Sequence, residues 1–175
     1  TIGGQHPGKG THNALIALSK NSYLEIIAPD PAQAPFNKAL WFELEKLQQP
    51  KLLTYAVKAT DLTKQLQKAT FKLGAIQDGS RAKPDGTLLS WQLTDPNQLI
   101  EEGLVPFLID WGESPHPANG IPVSCELIRL EATHPEPDRI RKKLFSIDVS
   151  LKISAGKKPN LIALIKGPNG LVELS

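Results

Sequence analysis

Ala56-Val-Lys-Ala-Thr60 and Arg129-Leu-Glu-Ala-Thr133 are two similar short stretches, and each precedes a predicted helix. Each helix is followed by further apolar runs, so the order strand–helix–strand–strand–strand occurs twice. Because a repeated unit defines an architecture, we predict an α+β fold built of βαβββ modules at residues 52–111 and 124–175. Residues 1–30 resemble the last strands of another such module, whose opening strand and helix we expect upstream of Thr1.

Helix and strand signals support this order. Asp61 can cap a helix over Leu62–Ala69, and Pro137 can open one over Asp138–Phe145. Phe36–Leu47 has apolar residues at helical spacing, which predicts a third helix. Short apolar runs bounded by Gly, Pro, Asn or Asp predict strands at Asn13–Leu18, Tyr23–Ala28, Leu52–Ala59, Thr87–Leu93, Pro106–Trp111, Cys125–Ala132, Leu161–Lys166 and Leu171–Leu174.

Two turn motifs join neighbouring strands. Pro84-Asp-Gly86 combines a residue that fixes φ with one that accepts positive φ, so we predict a hairpin from Ala75 to Leu93. Pro168-Asn-Gly170 is predicted to connect the last two strands in the same way. The sheets are therefore expected to be rich in antiparallel pairs.

The composition narrows the class of protein. The 175 residues are 40% apolar and 22% charged, which is typical of a globular domain that folds without disulfides. The 20 basic and 18 acidic residues are interspersed, so we expect no nucleic-acid partner. Cys125 is the only cysteine, which favours a cytoplasmic location. No apolar run approaches the ~20 residues needed to cross a membrane, so no membrane partner is expected.

Two carboxylates stand out because each interrupts an apolar strand. Glu25 lies within Tyr23-Leu-Glu-Ile-Ile27, and Glu173 lies within Leu171-Val-Glu-Leu174. A carboxylate on an enclosed strand face must be paired, protonated or bound to a cation. Both are therefore candidate functional residues, although each could also lie on the wet face of an edge strand.

Other residues carry candidate chemistry of their own. His12 begins the strand that precedes Glu25, and a His–carboxylate pair can bind a metal or share a proton. His6, on the other side of the same glycine-rich turn, is an alternative to His12. Asp110 ends an apolar strand beside Trp111 and is a candidate acid or base. The predicted catalytic residues are Glu25, Asp110 and His12. We expect Glu25 and Asp110 to face one shared cavity together with Trp91.

The predicted substrate-binding residues could anchor or enclose a ligand. Arg81 can hold a carboxylate, carbonyl or phosphate through two donors. Trp91 and Trp111 could form aromatic walls, or could simply pack in a core. His116 lies between two prolines in a loop and could lie at the rim of a pocket or fill a structural turn.

Several motifs together resemble the glyoxalase-like family of the vicinal oxygen chelate superfamily. They are Gly3-Gly-Gln-His-Pro-Gly-Lys-Gly-Thr-His-Asn13, Tyr23-Leu-Glu-Ile-Ile27, Arg81 with Pro84-Asp-Gly86 and Trp91, Pro106-Phe-Leu-Ile-Asp-Trp111, Pro115-His-Pro-Ala118 and Gly170-Leu-Val-Glu-Leu174. The resemblance extends over nearly the whole chain as a single domain. It implies curved mixed sheets around a cupped cavity, with the helices outside.

The resemblance also implies a type of site. Enzymes of the superfamily usually hold a divalent metal with His and Glu from strands of the cup, and Glu25 and Glu173 match the carboxylate positions. The matched strands Leu53–Ala56 and Glu126–Arg129 contain no histidine, so His12 is the predicted additional ligand and the metal set is incomplete. No cofactor can be named.

Three hypotheses follow, of which the third is a purely structural or interaction domain, favoured if the cup is filled. The first is a glyoxalase-like protein that binds a small molecule in a β-sheet cup and acts as a lyase, isomerase or dioxygenase-type enzyme. The second is a non-catalytic protein that binds or sequesters a small ligand. A His–carboxylate pair in the cup would favour the enzyme, and an aromatic cavity without acid–base groups would favour the binder. A second copy of the chain, forming a homodimer, is a further hypothesis for its partners.

Overall fold

Residues 1–35, 40–82 and 86–175 are described by a computed structural model, which over these ranges shows an α+β fold with three open sheets. The predicted fold class is confirmed. The strands are β1 Ile2–His6, β2 Thr11–Ser19, β3 Ser22–Pro29, β4 Ala56–Lys58, β5 Ile76–Ala82, β6 Leu88–Thr94, β7 Phe107–Asp110, β8 Glu126–His134, β9 Lys152–Ala155, β10 Asn160–Gly167 and β11 Gly170–Leu174. The helices are α1 Leu62–Lys68 and α2 Pro137–Ser146. Neither helix is long and apolar enough to span a membrane.

The βαβββ order occurs twice, as predicted, but the two sheets are assembled differently. The first sheet is the antiparallel meander β1-β2-β3. In the second sheet, β4-β7-β6-β5, the first strand of the module pairs parallel with the last. In the third sheet, β11-β10-β8-β9, the first strand instead pairs parallel with β9, the strand that follows α2. The two modules therefore share the order of helices and strands along the chain, but not the order of the strands within the sheet.

One apolar core joins the second and third sheets. Asp61 caps α1 by accepting from the Lys64 amide at 2.9 Å, as predicted. In α2, Ile140 and Leu144 are buried at the positions that the helical period assigned to the apolar face. The core residues from both modules are Ala59, Leu62, Leu73, Leu104, Val105, Leu108, Ala132, Ile140, Leu144, Ile147, Ile153 and Leu161. The two modules therefore form a single packing unit.

Two local predictions were wrong. In the predicted helix Phe36–Leu47, residues 36–39 lie outside the described part of the chain, and Trp41–Lys46 forms a short 3-10 segment in which Phe42 and Glu43 have positive φ. Its apolar spacing reflects the burial of Leu40 and Leu44 rather than an α-helix. The predicted strand Leu52–Ala59 is reduced to Ala56–Lys58, since the residues before it have no strand partner among those described.

The Ala75–Leu93 hairpin is confirmed by its strands, because β5 and β6 pair from Ile76–Thr94 to Ala82–Leu88. Its predicted turn residues Pro84 and Asp85 lie outside the described residues. Strand β1 was not predicted as a strand because Gly3 and Gly4 lower the strand signal.

A buried carboxylate ties the second module to α2. Glu101, only 12% exposed, accepts from Arg139 Nη1 at 2.6 Å and also from Lys143 Nζ. Burial alone would raise the pKa of Glu101, but the donors Lys143 and Arg139 outweigh it and hold the pKa below the usual value. The carboxylate is thus more strongly bound in the ionised form.

We expect Glu101→Gln to lower the free energy of unfolding by about 2 kcal/mol at pH 7, because two cations lose their counter-charge. The folded pKa is depressed, so the stability that Glu101 contributes is complete above its unfolded pKa of 4.5 and disappears as pH falls through the folded pKa. Chemical denaturation from pH 7 to pH 3 should therefore show the free energies of unfolding of the unmodified protein and Glu101→Gln becoming equal in acid. Glu102→Gln is the matched control, since Glu102 is exposed and has nearly the same φ, 55° against 51°. An equal loss in both variants would contradict the role of the ion pairs.

Candidate functional site

The candidate site lies where the first sheet faces the second. Arg81 on β5 donates from Nη1 to Oδ1 of Asn13 on β2 at 3.2 Å. Tyr23 on β3 lies 5.5 Å, ring centre to ring centre, from His116 in the loop after β7. We call this surface the cup face, and it comprises His6, Asn13, Tyr23, Glu25, Arg81, Trp91, Trp111 and His116.

Asn13 is the centre of the polar end of the cup face. Its Oδ1 accepts from the Gly4 amide at 3.0 Å and from Arg81. Two donors on the oxygen fix the orientation of the side-chain amide, so Nδ2 points the other way. Nδ2 donates to Glu25 Oε1 at 2.7 Å and lies 3.3 Å from His6 Nε2. One amide therefore connects a cation, a carboxylate and an imidazole.

The paired glycines of β1 make room for these side chains. A Cβ on Gly3 would lie 1.9 Å from Asn13 Oδ1, and a Cβ on Gly4 would lie 3.3 Å from Arg81 Nη1. Without side chains at these positions, Asn13 and Arg81 can lie directly against the backbone of β1. The Gly-Gly pair is thus explained by close approach at the site.

His6 is held neutral behind Asn13. It is 7% exposed, and its Nδ1 lies 2.8 Å from Thr11 Oγ1. Because Asn13 Nδ2 is a donor, His6 Nε2 accepts and the ring proton is assigned to Nδ1. Burial, and then the positive charges of Arg81 and His12, lower the pKa of His6 to about 4. At neutral pH the ring therefore presents an unprotonated Nε2, 3.8 Å from Glu25 Oε1.

Glu25 is a partly exposed carboxyl group with a perturbed pKa. Its side chain is 35% exposed, so it can be reached from solvent. Protein nevertheless surrounds it on most sides, and this desolvation raises its pKa, although the Asn13 hydrogen bond and the charge of Arg81 act in the opposite direction. Burial and the nearby Glu25 carboxylate also raise the pKa of Tyr23. Perturbed groups that meet at one surface are typical of functional sites.

Aromatic side chains continue the surface away from Glu25. The Trp91 indole lies directly over Gly79, where a Cβ would approach its Nε1 to 2.3 Å. Trp91 packs against Trp111 with ring centres 5.3 Å apart, and Trp111 lies 6.4 Å from His116. With the Tyr23–His116 contact, three of the predicted ligand-binding residues, Trp91, Trp111 and His116, form one row with Tyr23 that ends beside Glu25. Within this row Trp111 is buried and belongs to a small apolar core cluster.

Asp110 lies in a groove of the second sheet that Glu25 does not line. It pairs with Gln92 across β6 and β7, and Gln92 donates to Asp78 at 2.9 Å, so these three side chains share one face of the second sheet. Since side chains alternate along a strand, this face is opposite to that of Trp91. Asp110 lines an open groove of about 510 Å³, and its Oδ1 accepts from the Gly112 amide at 2.9 Å. Trp91 and Trp111 also line this groove at the sheet edge, whereas Glu25 is not among its lining residues. Of the three residues expected to share a cavity, the groove therefore brings together only Asp110 and Trp91.

The predicted metal ligands are not brought together. His12 is exposed, and alternation along β2 places it on the face opposite to Asn13. Glu173 lies on β11 in the third sheet, 3.4 Å from Arg129 Nη2. Within the described ranges, no cluster of three or more His, Cys, Asp or Glu side chains could hold a metal ion. Near Glu25 and His6, an amide donor fills the space between the two candidate ligands, so these residues do not fit the divalent metal that the superfamily implies.

The central residue of the site, Asn13, was not predicted as a functional residue. The sequence placed it at the end of the glycine-rich motif and the start of a strand, and it favoured His12 over His6. The signal that could have identified both was alternation, because His6 and Asn13 share a face with Glu25 once β1, β2 and β3 are paired. That pairing could not be deduced while β1 was not recognised as a strand.

The fold and site together define a mixed α+β protein with a polar cluster around Glu25 and an aromatic row on the cup face. Residues 1–147 match the glyoxalase-like domain family, and the chain belongs to that family, which is consistent with the vicinal oxygen chelate superfamily. A hypothetical protein from Staphylococcus aureus, known from a crystal structure, has a similar fold. It is 16% identical with a TM-score of 0.63 over 95% of this chain and 81% of that chain, a likeness that shows the fold alone. No curated protein matches the chain.

Proposed function

We propose that the protein binds a small organic molecule on the cup face and that Glu25 acts on it as a general acid or base. The observation that carries this proposal is the continuity of the surface: an aromatic row ends at a carboxylate that is accessible and has a raised pKa. Small-molecule sites are typically lined by apolar and aromatic side chains with a few convergent polar groups, and the cup face has this composition. Family membership supports the proposal at the level of fold only.

The acid–base role is supported by the partner of Glu25. Asn13 Nδ2 donates to Glu25 Oε1 at 2.7 Å and thereby orients the carboxylate, and the unprotonated His6 Nε2 lies 3.8 Å from the same oxygen. A carboxylate with a raised pKa is a stronger base than an ordinary one and accepts a proton more readily near neutral pH. Reaction classes that begin with proton removal beside a carbonyl, such as isomerisation or lyase chemistry, suit this arrangement.

A non-catalytic binder is the second candidate. The aromatic row favours it, because the partly exposed rings of Trp91, His116 and Tyr23 offer stacking surface. Trp111 is buried at 7% exposure and packs against two of these rings, Trp91 and His116. The two candidates differ only in whether Glu25 moves a proton of the bound molecule.

Phenylacetone, a neutral aromatic ketone with an acidic C–H, distinguishes these cases in one experiment. Saturable shifts of the Trp91 indole N–H signal, assigned with Trp91→Phe, are expected on titration, because the ring packs against the indole. In D₂O, enzyme activity should exchange the C–H protons next to the carbonyl, and Glu25→Gln should lower that exchange at least about tenfold. Binding without exchange would indicate the non-catalytic binder.

Cyclohexylacetone is the matched control, since it keeps the ketone and replaces the aromatic ring. It should shift the Trp91 signal only weakly. No saturable shift of Trp91 by phenylacetone, or equal shifts by the two ketones, would contradict a ligand site on the aromatic row.

A further inference from the structure

The partners of Glu25 and Arg81 leave specific atoms free for a ligand. Glu25 Oε1 is occupied by the Asn13 amide at 2.7 Å, whereas Oε2 has no partner among the described residues. Arg81 uses Nη1 for Asn13, and no described carboxylate lies within 4.0 Å of its guanidinium. The polar end of the cup face thus offers one carboxylate oxygen and several cationic N–H donors.

Asn13 sets these two free groups at a fixed separation. Its oxygen binds Arg81 and its nitrogen binds Glu25, so the cation and the carboxylate lie on opposite sides of one amide group. This arrangement prevents Arg81 and Glu25 from pairing directly, which would neutralise both. A ligand that satisfies both must carry an anionic group and, a few ångströms away, a proton that it can donate.

We infer that the site takes a small carboxylate with a neighbouring hydroxyl: Arg81 binds the carboxylate, Glu25 Oε2 accepts the hydroxyl proton, and Asn13 is the positioning residue. This inference rests on the proposed function, because the aromatic row would hold the remainder of the molecule. The ligand must then carry a negative charge for Arg81 and a hydrogen-bond donor for Glu25. Either group can be removed from the ligand without the other.

Mandelate, phenylacetate and methyl mandelate provide that separation. Mandelate has the ring, the carboxylate and the hydroxyl; phenylacetate lacks the hydroxyl, and methyl mandelate lacks the charge. Titration calorimetry with the full chain should show mandelate binding about tenfold more tightly than either, since a hydrogen bond to a charged group is worth about that factor. Arg81→Gln should lower affinity for both acids, and Glu25→Gln should remove only the advantage of mandelate over phenylacetate. Arg129→Gln is the control and should leave all three affinities unchanged.

Asn13→Asp tests the positioning role separately from folding. Aspartate keeps the shape and still accepts from Arg81 and Gly4, but it places a negative charge against Glu25 and raises the pKa of that carboxyl further. Mandelate affinity should fall as pH is lowered through the pKa of Glu25, because a protonated carboxyl accepts less well. In Asn13→Asp this fall should occur at a higher pH, because the added carboxylate raises the pKa of Glu25, whereas an affinity that does not depend on Glu25 would keep its midpoint.

Several outcomes would overturn the inference. They are equal binding of mandelate and phenylacetate, mandelate affinity that rises in acid, or an unchanged midpoint in folded Asn13→Asp. If phenylacetone still shifts Trp91 in that case, the proposed function stands and only the ligand class is wrong. If phenylacetone also fails to bind, the proposed function fails with it.

Discussion

Replacing Gly103 with alanine is expected to lower the free energy of unfolding by about 4 kcal/mol, which corresponds to a fall in Tm of about 10 °C. Gly103 is buried with a φ of +89°, and an added Cβ would lie 1.8 Å from the backbone oxygen of Leu53. Backbone cannot rotate away as a side chain can. Thr54 Oγ1 also donates to the Gly103 carbonyl at 3.1 Å. This hydrogen bond holds the segment that contains Leu53 against Gly103, so the segment cannot easily move away from an added Cβ.

Gly120→Ala isolates the cost of the clash. Gly120 has nearly the same φ, +86°, but nothing lies within 4 Å of an added Cβ. Its replacement should cost only the ~1–2 kcal/mol of the left-handed backbone conformation. Thermal and urea unfolding of both variants provide the comparison. If the two variants lost equal stability, contact with Leu53 would not be what requires glycine at position 103.

This contact also explains why part of the fold was not predictable. Leu52–Tyr55 has the composition of a strand, yet it is held by Gly103 and by a hydrogen bond from Tyr55 to the Leu104 carbonyl at 3.3 Å. The partner segment lies about fifty residues away, and nothing in local composition reveals it. By contrast, α1 and α2 were predicted nearly to the residue, because caps and the helical period are local signals.

The site likewise depends partly on local signals and partly on contacts between distant segments. Glu25 could be selected from the sequence because a carboxylate in an apolar strand is unusual within its own neighbourhood. The face on which it lies, and hence its neighbours, depends on pairing among β1, β2 and β3. Asp110 satisfied the same local criterion and lies on the opposite face of its sheet from Trp91. Local pattern identified candidate residues, and strand register decided which of them meet.

The family match ends at residue 147, but the packing of the molecule does not end there. Strand β8 pairs with β9 on one side and β10 on the other, and both follow that boundary. Ile153 and Leu161, each 3% exposed, belong to the same core as Ile140 of α2. The family region therefore depends on later strands for part of its apolar core.

We accordingly expect a chain of residues 1–147 to lose cooperative unfolding altogether. Removing β9 and β10 would expose the apolar face of α2 and leave β8 without its described strand partners, and each large core side chain lost costs about 2–5 kcal/mol. The loss of Ile153, Leu161 and Ile165, all buried, is therefore comparable with the ~5–15 kcal/mol by which a domain is usually stable. Deletion of residues 170–175 is the control, because β11 is an edge strand whose residues 170–173 are exposed, and the shortened chain should still unfold in one transition. Circular dichroism during heating and amide hydrogen exchange would compare the three chains. A cooperative transition in 1–147 at the Tm of the full chain would show that the first two sheets fold independently, and that the core shared with the third sheet adds little to their stability.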